Sequence, residues 1–274
     1  MSTEYAIING EFVPKNEATI RMNDLSIQRG YGIFDYFRTI QYQPVFLDEH
    51  LARLYYSAEK MRLTFEHNSD QLKELIYQLI QKNDLPDSGI RITITGGYSG
   101  DGYSIGKPNV VIEQNPFGFN KESFEKGIRL MSYGHQRQLS DVKTIDYLQA
   151  IYLQPLLKEK QADDILYHHQ GIITECPRAN FFMVTHDEEV ITPSENILKG
   201  ITRKKILSLK EFTVLESEIH LNELKDIKEA FITSTTKNVL PVLQIDGLTI
   251  GDGKPGPVTT AIYQKICALR GEAG

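Results

Sequence analysis

The stretch SDVKTIDYLQ, residues 140–149, places Lys143 among acidic, aromatic and aliphatic residues, where the pattern predicts a helix at residues 144–160. A single lysine is ordinarily a solvated surface residue. It acts as a nucleophile where its surroundings lower the pKa of the amine, as in enzymes that bond a lysine to a carbonyl compound. Position 143 alone does not distinguish these roles, so the other motifs have to decide between them.

The composition is that of a soluble protein with a sizeable core. The 274 residues are enough for one large or two ordinary domains. The net charge of −6 disfavours a nucleic-acid partner, because such proteins carry basic surfaces. Cys176 and Cys267 form no CxxC pair, which argues against a disulfide framework or a zinc site. We find no signal peptide and no apolar run of about 18 residues, and therefore expect a cytoplasmic protein without a membrane partner.

Hydrophobic periodicity predicts an α+β fold in two parts. The first part has a hairpin turning at Asn9-Gly10, a second hairpin at residues 32–47, helices at 48–63 and 69–85, and strands at 89–97 and 109–117. We expect Ser69 or Asp70 to cap the second of these helices. The second part has many short strands and helices at about 144–160, 202–211 and 257–271.

These patterns predict a small N-terminal α/β domain at residues 1–116 and a larger β-rich, barrel-like α/β domain at 122–274. The stretch EQNPFGFN contains Pro, Gly and two Asn, which break the pattern, so we expect a linker at 117–121. No HExxH motif occurs, and the adjacent His168 and His169 of a predicted strand would point to opposite faces. We therefore expect no metal.

Three short motifs match anion or ring binding. Gly200, Ile201 and Thr202 precede a predicted helix, where free N–H groups and a hydroxyl suit an anion, although the pattern alone is more often an ordinary cap. Hydroxyl residues Thr233 to Thr236 end a strand, and Glu175 ends a β-rich run. An amine, a carboxylate and two anion-type turns are what pyridoxal 5'-phosphate requires.

With these motifs in order, the chain resembles the fold type IV pyridoxal-phosphate enzymes, which include D-amino-acid and branched-chain aminotransferases and aminodeoxychorismate lyase. The resemblance runs nearly end to end. It rests on these segments: NDLSIQRGYGIFDYFRT, EHLARLYYSAEKMRL, VKTIDYLQA, ITECPRANFF, ILKGITRKKI and FITSTTKNVLPV.

The resemblance implies roles for the matching residues and a homodimer with its sites near the subunit boundary. Lys143 would form the Schiff base with the cofactor and move the proton, and Glu175 would face the pyridine nitrogen. The residues that would hold the phosphate are Arg53, Ile201, Thr202, Ser234 and Thr235. Asn180 matches the asparagine that follows the glutamate in the family.

Substrate choice is less constrained. Relatives acting on D-amino acids usually carry an Arg-x-His carboxylate trap, which TGGYSGDGYS lacks. We expect Arg38, Arg91 and Arg178 to bind substrate carboxylates, because an arginine in an apolar setting needs an anion; structural salt bridges are an equal alternative. We predict a D-amino-acid transaminase that exchanges D-glutamate or D-alanine with 2-oxoglutarate or pyruvate. The alternatives are aminodeoxychorismate lyase, a branched-chain L-amino-acid aminotransferase, and a cofactor-binding relative without activity.

Overall fold

The computed structural model describes residues 4–118 and 122–272. The chain forms two compact units: Met1–Gly118 with Val142–Asp146, and Phe119–Asp141 with Tyr147–Gly274. The sequence prediction differs at Val142–Asp146, which it assigned to the second domain. Residues 119–121 of the predicted linker lie outside the described residues.

The strands and helices of the first unit are, in chain order, β1 Tyr5–Ile8, β2 Glu11–Pro14, α1 Leu25–Arg29, β3 Gly32–Ile40, β4 Gln43–Pro44, α2 Leu47–Lys60, α3 Ser69–Asn83, β5 Ser88–Thr95 and β6 Val110–Pro116. Within the described residues they form an antiparallel sheet in the order β2-β1-β6-β5-β3-β4. Both predicted hairpins are present. Asn9 and Gly10 have φ of 54° and 89°, as a tight hairpin turn requires.

One face of this sheet forms the core of the first unit. Alternate residues of β5, namely Ile90, Ile92 and Ile94, are fully buried in one cluster with apolar residues of α2 and α3. The predicted cap of α3 was wrong. Asn68 caps this helix, because its Oδ1 accepts from Gln71 N at 3.0 Å while Gln71 Oε1 accepts from Asn68 N at 2.9 Å.

The elements of the second unit are α4 Glu122–Lys126, β7 Ile128–Gly134, α5 Leu148–Tyr152, α6 Gln154–Glu159, β8 Asp164–His169, β9 Ile172–Ile173, β10 Glu175–Cys176, β11 Ala179–Val184, β12 Val190–Pro193, α7 Ile201–Leu207, β13 Val214–Ser217, a 3-10 helix Leu221–Asp226, β14 Glu229–Ser234, β15 Asn238–Ile245, β16 Leu248–Thr249 and α8 Pro257–Arg270. The main path of the sheet runs β13-β12-β11-β14-β15-β7-β8-β9; β10 pairs with β11, and β16 pairs with β15.

The two edges of this sheet meet. Ile173 N donates to Ile219 O and Leu221 N donates to Gly171 O, both at 2.8 Å, which joins β9 to the segment that follows β13. Backbone bonds between opposite edges require a curled sheet. This closure and the mixed strand directions confirm the predicted α+β class with a barrel-like second part.

The predicted helix at 144–160 is broken in two. Thr144 forms a bridge with Ile33 and is therefore extended. Pro155 occupies the first turn of α6, where its ring disfavours continuation of α5. In the described part of the chain, no helix has the length and apolarity needed to cross a membrane.

Candidate active site

Lys143 lies beside the start of β3 in the first unit. Its backbone oxygen accepts from Phe34 N at 3.0 Å, and Ile145 N donates to Gly32 O at 3.1 Å. Lys143 N donates to Ser57 Oγ at 3.3 Å. The side chain is half-buried, with Nζ 4.3 Å from the centroid of the Phe34 ring. The lysine is thus held by backbone bonds next to an aromatic face rather than displayed on an open surface.

The close approach of this segment to β3 depends on a glycine. A Cβ built on Gly32 would lie 2.9 Å from Ile94 O and 3.1 Å from Ile145 Cδ1. Both distances are shorter than ordinary carbon contacts, and one of them is to backbone, so a larger residue would push the lysine segment away from the sheet.

Arg53 lies in a buried network on the opposite face of β3 from Phe34. Arg53 Nε and Nη2 donate to the two carboxylate oxygens of Asp35, each at 2.8 Å, and His50 Nδ1 donates to Asp35 Oδ1 at 2.7 Å. Burial raises the pKa of Asp35, but Arg53 and His50 outweigh it and hold the pKa well below its usual range. Burial lowers the pKa of His50, so its neutral form is favoured. The network fixes Arg53 as a planar, oriented cation.

The face of the sheet on which Phe34 lies carries two predicted substrate arginines, Arg38 on β3 and Arg91 on β5. Phe34, Tyr36 and Arg38 alternate along β3, and the register sets Arg91 opposite Tyr36. Arg91 stacks on Phe34 with its guanidinium carbon 3.8 Å from the ring centroid, and the Lys143 amine contacts the same ring. Arg38 is buried and stacks on Phe117 at 4.4 Å. The structure therefore brings Arg91 and Lys143 to one aromatic side chain.

Tyr36 is a residue of this face to which the sequence reasoning assigned no role. A Cβ built on Gly89 would lie 1.8 Å from the Tyr36 hydroxyl oxygen, so the phenol occupies the space that a side chain at position 89 would fill. Burial raises the pKa of Tyr36, although Arg38 opposes this effect. The only sequence signal was a tyrosine two positions before a predicted buried arginine.

Glu175 lies in the second unit with its carboxylate almost fully buried. Arg137 Nε donates to Oε1 at 2.8 Å, and Leu198 N donates to Oε2 at 3.0 Å. Asn180 pairs with Glu175 in the sheet, and its Nδ2 donates to Leu198 O at 2.7 Å. Both predicted residues therefore hold the backbone of Leu198. The sequence reasoning missed Arg137, because an isolated arginine resembles a surface residue.

The two predicted phosphate turns are joined by an arginine of α8. Arg270 Nη2 donates to Thr202 Oγ1 at 2.7 Å and to Ser234 O at 3.3 Å, and its Nη1 donates to Thr235 O at 3.1 Å. Ile201 and Thr202 begin α7, where the first N–H groups lack partners within the helix. Ile201, Thr202, Ser234 and Thr235 therefore belong to one structural cluster of the second unit.

Arg178 is placed differently from the other two substrate candidates. Its side chain is 64% exposed, and Nη2 lies 3.9 Å from Asp164 Oδ2. Lys237 also forms an ion pair with this buried carboxylate. These contacts match the salt-bridge alternative for Arg178. Arg91 Nε likewise lies 3.9 Å from Glu113 Oε1, but Arg91 also stacks on the Phe34 ring that the Lys143 amine contacts.

Comparison with known proteins gives the family. The sequence profile described as "Amino-transferase class IV" matches residues 32–245. The chain belongs to the class IV aminotransferases. It is 30% identical over 268 residues to the D-alanine aminotransferase of Bacillus licheniformis, covering 95% of both chains. It is 26% identical over 269 residues to that of Listeria monocytogenes, covering 94% of this chain and 93% of the relative.

Solved class IV structures share the fold. The branched-chain amino acid aminotransferase of Escherichia coli has a TM-score of 0.91 and 27% identity, with 100% of this chain and 97% of that one covered. A putative 4-amino-4-deoxychorismate lyase of Legionella pneumophila has a TM-score of 0.84 and 25% identity, with coverage of 93% and 97%. Because these relatives carry different activities, membership of the family does not determine the substrate.

Class IV aminotransferases depend on pyridoxal 5'-phosphate, and the residues of the second unit fit this cofactor. Glu175, Asn180 and Thr233 are paired across adjacent strands and therefore share one face of the sheet. Thr233 Oγ1 is buried and makes no hydrogen bond within residues 4–118 and 122–272. A buried hydroxyl of this kind needs a partner, which a bound polar ligand supplies.

Proposed function

We propose that this class IV aminotransferase acts on D-amino acids, exchanging the amino group of D-glutamate or D-alanine with 2-oxoglutarate or pyruvate. Curated D-alanine aminotransferases that match over nearly the whole chain support this assignment. The observation that carries it is the shared Phe34 ring, on which a guanidinium and the Lys143 amine both lie. A reactive amine beside an arginine suits a substrate that has a carboxylate next to its amino group.

When bound, the cofactor supplies an electron sink for the bond electrons of the substrate Cα–H. Lys143 would hold the cofactor through its aldehyde, and its amine would serve as the general base and acid that moves the substrate Cα proton. Glu175 would face the pyridine nitrogen, and Arg137 and Leu198 N, which both donate to its carboxylate, would keep it in place. Asn180 donates to the backbone oxygen of Leu198 and so holds the residue whose N–H binds Glu175.

The phosphate is bound by Arg53, Ile201, Thr202, Ser234 and Thr235 in this proposal. Thr202 and Ser234 supply hydroxyls, and Ile201 and Thr202 supply backbone N–H groups. Arg53 supplies charge, oriented by its two bonds to Asp35. Phosphate bound by backbone N–H groups, hydroxyls and a cation is the usual arrangement at such turns.

Arg91 and Arg38 bind substrate carboxylates, with Arg178 as a third candidate. We expect Arg91→Met to raise the KM for the amino donor roughly 10- to 150-fold, because a charge-assisted hydrogen bond contributes about 1.5–3 kcal/mol. The matched control is Arg178→Met, which we expect to change KM less because this side chain is 64% exposed and makes no stacking contact with Phe34 among the described residues. An equal effect of both substitutions on KM would contradict the proposal that Arg91 binds the substrate carboxylate.

The stereochemical assignment is tested by direct product analysis. Purified holoenzyme is incubated with D-glutamate and pyruvate, and in parallel with L-glutamate or L-leucine and a keto acid, and each product is followed by chiral chromatography. The proposal predicts D-alanine from the first mixture and ping-pong kinetics. Turnover of the L-substrates alone would identify a branched-chain type of specificity.

A lyase is the second candidate, because the Legionella pneumophila structure covers most of the chain. A lyase would release pyruvate and an aminobenzoate from aminodeoxychorismate without an amino acceptor. Absence of turnover with every donor and with this compound would identify a cofactor-binding relative without activity.

We further propose that the enzyme is a cytoplasmic homodimer. The helix α5 exposes Leu148, Ile151 and Tyr152, an apolar surface that monomeric proteins seldom leave uncovered. Sedimentation equilibrium tests this directly. A dimer that Ile151→Asp weakens is expected, and a monomeric wild-type protein would refute the proposal.

A further inference from the structure

The last residue of α8 is a buried arginine that the proposed reaction does not use. Arg270 is 7% exposed, although it lies only a few residues from the end of the described chain. The helix that carries it packs through Val258, Ile262 and Ile266 into a buried cluster with Phe182 and Phe231. The guanidinium is therefore held in place by a rigid helix.

The contacts of Arg270 connect two segments that are far apart in sequence. Its guanidinium donates to Thr202 Oγ1 at the start of α7, and to the backbone oxygens of Ser234 and Thr235 after β14. These segments are the two turns assigned above to the cofactor phosphate. Arg270 therefore links the two turns by direct hydrogen bonds.

The bond to Thr202 also sets the direction of a proton. A threonine hydroxyl has one hydrogen and two acceptor lone pairs. The guanidinium has only donors, so Thr202 Oγ1 must accept from Arg270 at 2.7 Å. The hydroxyl hydrogen is then directed to another acceptor. A phosphate oxygen is such an acceptor, and for it the hydroxyl becomes a donor.

Charge acts in the same direction. An arginine guanidinium remains protonated in proteins, and Arg270 is screened from solvent by its burial. The fixed positive charge of Arg270, which contacts the Thr202 hydroxyl, therefore favours binding of a dianionic group over a neutral one.

We propose that Arg270 is a positioning residue for the cofactor phosphate: it orients the Thr202 hydroxyl as a donor, fixes the turn at Ser234 and Thr235, and supplies positive charge behind both. This inference rests on the proposed assignment of the two turns to the phosphate. It predicts that Arg270 discriminates between the phosphorylated and the unphosphorylated cofactor.

Full-length apoprotein is titrated with pyridoxal 5'-phosphate and with pyridoxal, and each Kd is measured from the visible absorbance. We expect Arg270→Met to raise the Kd for the phosphorylated form by about 10-fold or more and to leave that for pyridoxal within about twofold. Arg270→Lys keeps the charge but not the planar fork, and an intermediate effect is expected.

Arg203→Lys is the matched control. This arginine is likewise buried and lies on α7 next to Thr202, but it donates to Pro193 O at 2.8 Å and to Glu216 Oε1 at 2.6 Å rather than to the turns. We expect it to change both Kd values by the same factor. Equal loss of both ligands in Arg270→Met, or no change in either, would overturn the inference, and Arg270→Lys gives the same readout if the methionine variant does not fold.

Thr202→Val separates the inference from its premise. If Thr202→Val weakens the phosphorylated ligand selectively while Arg270→Met does not, only the role of Arg270 is wrong. If wild-type protein binds pyridoxal as tightly as its phosphate, or if Thr202→Val has no effect on this preference, the assignment of the turns is itself wrong and the inference falls with it.

Discussion

The salt bridge between Arg137 and Glu175 gives the sharpest test of the packing around the proposed cofactor acid. The two side chains are 17% and 5% exposed, and Nε lies 2.8 Å from Oε1. Arg137 Nη2 also donates to Ser140 O at 2.6 Å. Arg137→Met keeps most of the side-chain volume but removes both bonds and the positive charge.

The expected cost follows from these contacts. Removing one partner of a buried ion pair costs about 3–5 kcal/mol, because the other charge stays buried without compensation. Arg137 keeps some exposure to solvent, and Leu198 N still donates to the carboxylate. We therefore expect about 3 kcal/mol, the lower end of that range.

The assay is urea unfolding of the apoprotein, monitored by far-UV circular dichroism. The sequence has no tryptophan whose fluorescence could report unfolding. Arg137→Met combined with Glu175→Gln is the matched variant, because glutamine leaves no buried charge. We expect the double variant to be more stable than Arg137→Met alone by roughly 1–3 kcal/mol. A change of less than about 0.5 kcal/mol in Arg137→Met, as for an ordinary surface substitution, would refute the reasoning.

Three further predictions concern stability. Because burial lowers the pKa of His50, the unfolded state binds the extra proton; stability should fall as the pH drops below about 6.5, with a slope of up to about 1.4 kcal/mol per pH unit that His50→Gln reduces in thermal unfolding. Gly200→Ala should cost about 1–3 kcal/mol in urea unfolding, since the new Cβ would lie 2.2 Å from Asn180 Oδ1, and an unchanged midpoint would contradict this. Glu229 Oε1 and Oε2 accept from Val258 N at 3.1 Å and Thr259 N at 2.7 Å, so Glu229→Gln should cost about 1–2 kcal/mol by the same assay, whereas Glu229→Asp with full stability would exclude a capping role that depends on reach.

Local signals predicted much of the fold because they depend on neighbours in sequence. The period of two in β5 placed Ile90, Ile92 and Ile94 on one buried face. The pair Asn9-Gly10 marked the turn of the hairpin formed by β1 and β2. The segment Val142–Asp146 was different. Its association with β3 is a long-range pairing, which no local pattern signals.

The candidate site divides in the same way. The types and order of Lys143 and Glu175 could be read from the chain, but their supporting residues could not. Arg137 and Arg270 are buried by tertiary contacts made with distant residues, and in sequence each is an isolated charge. The contribution of Tyr36 likewise depends on a glycine across the sheet.

The central claim is that the amine of Lys143 bonds to the aldehyde of pyridoxal 5'-phosphate. Borohydride reduction of the purified holoenzyme, followed by proteolysis and mass mapping, measures this bond directly. The account predicts a single pyridoxyl-modified peptide carrying its tag on Lys143. A tag on another lysine, or a reduced protein without any tag, would contradict it.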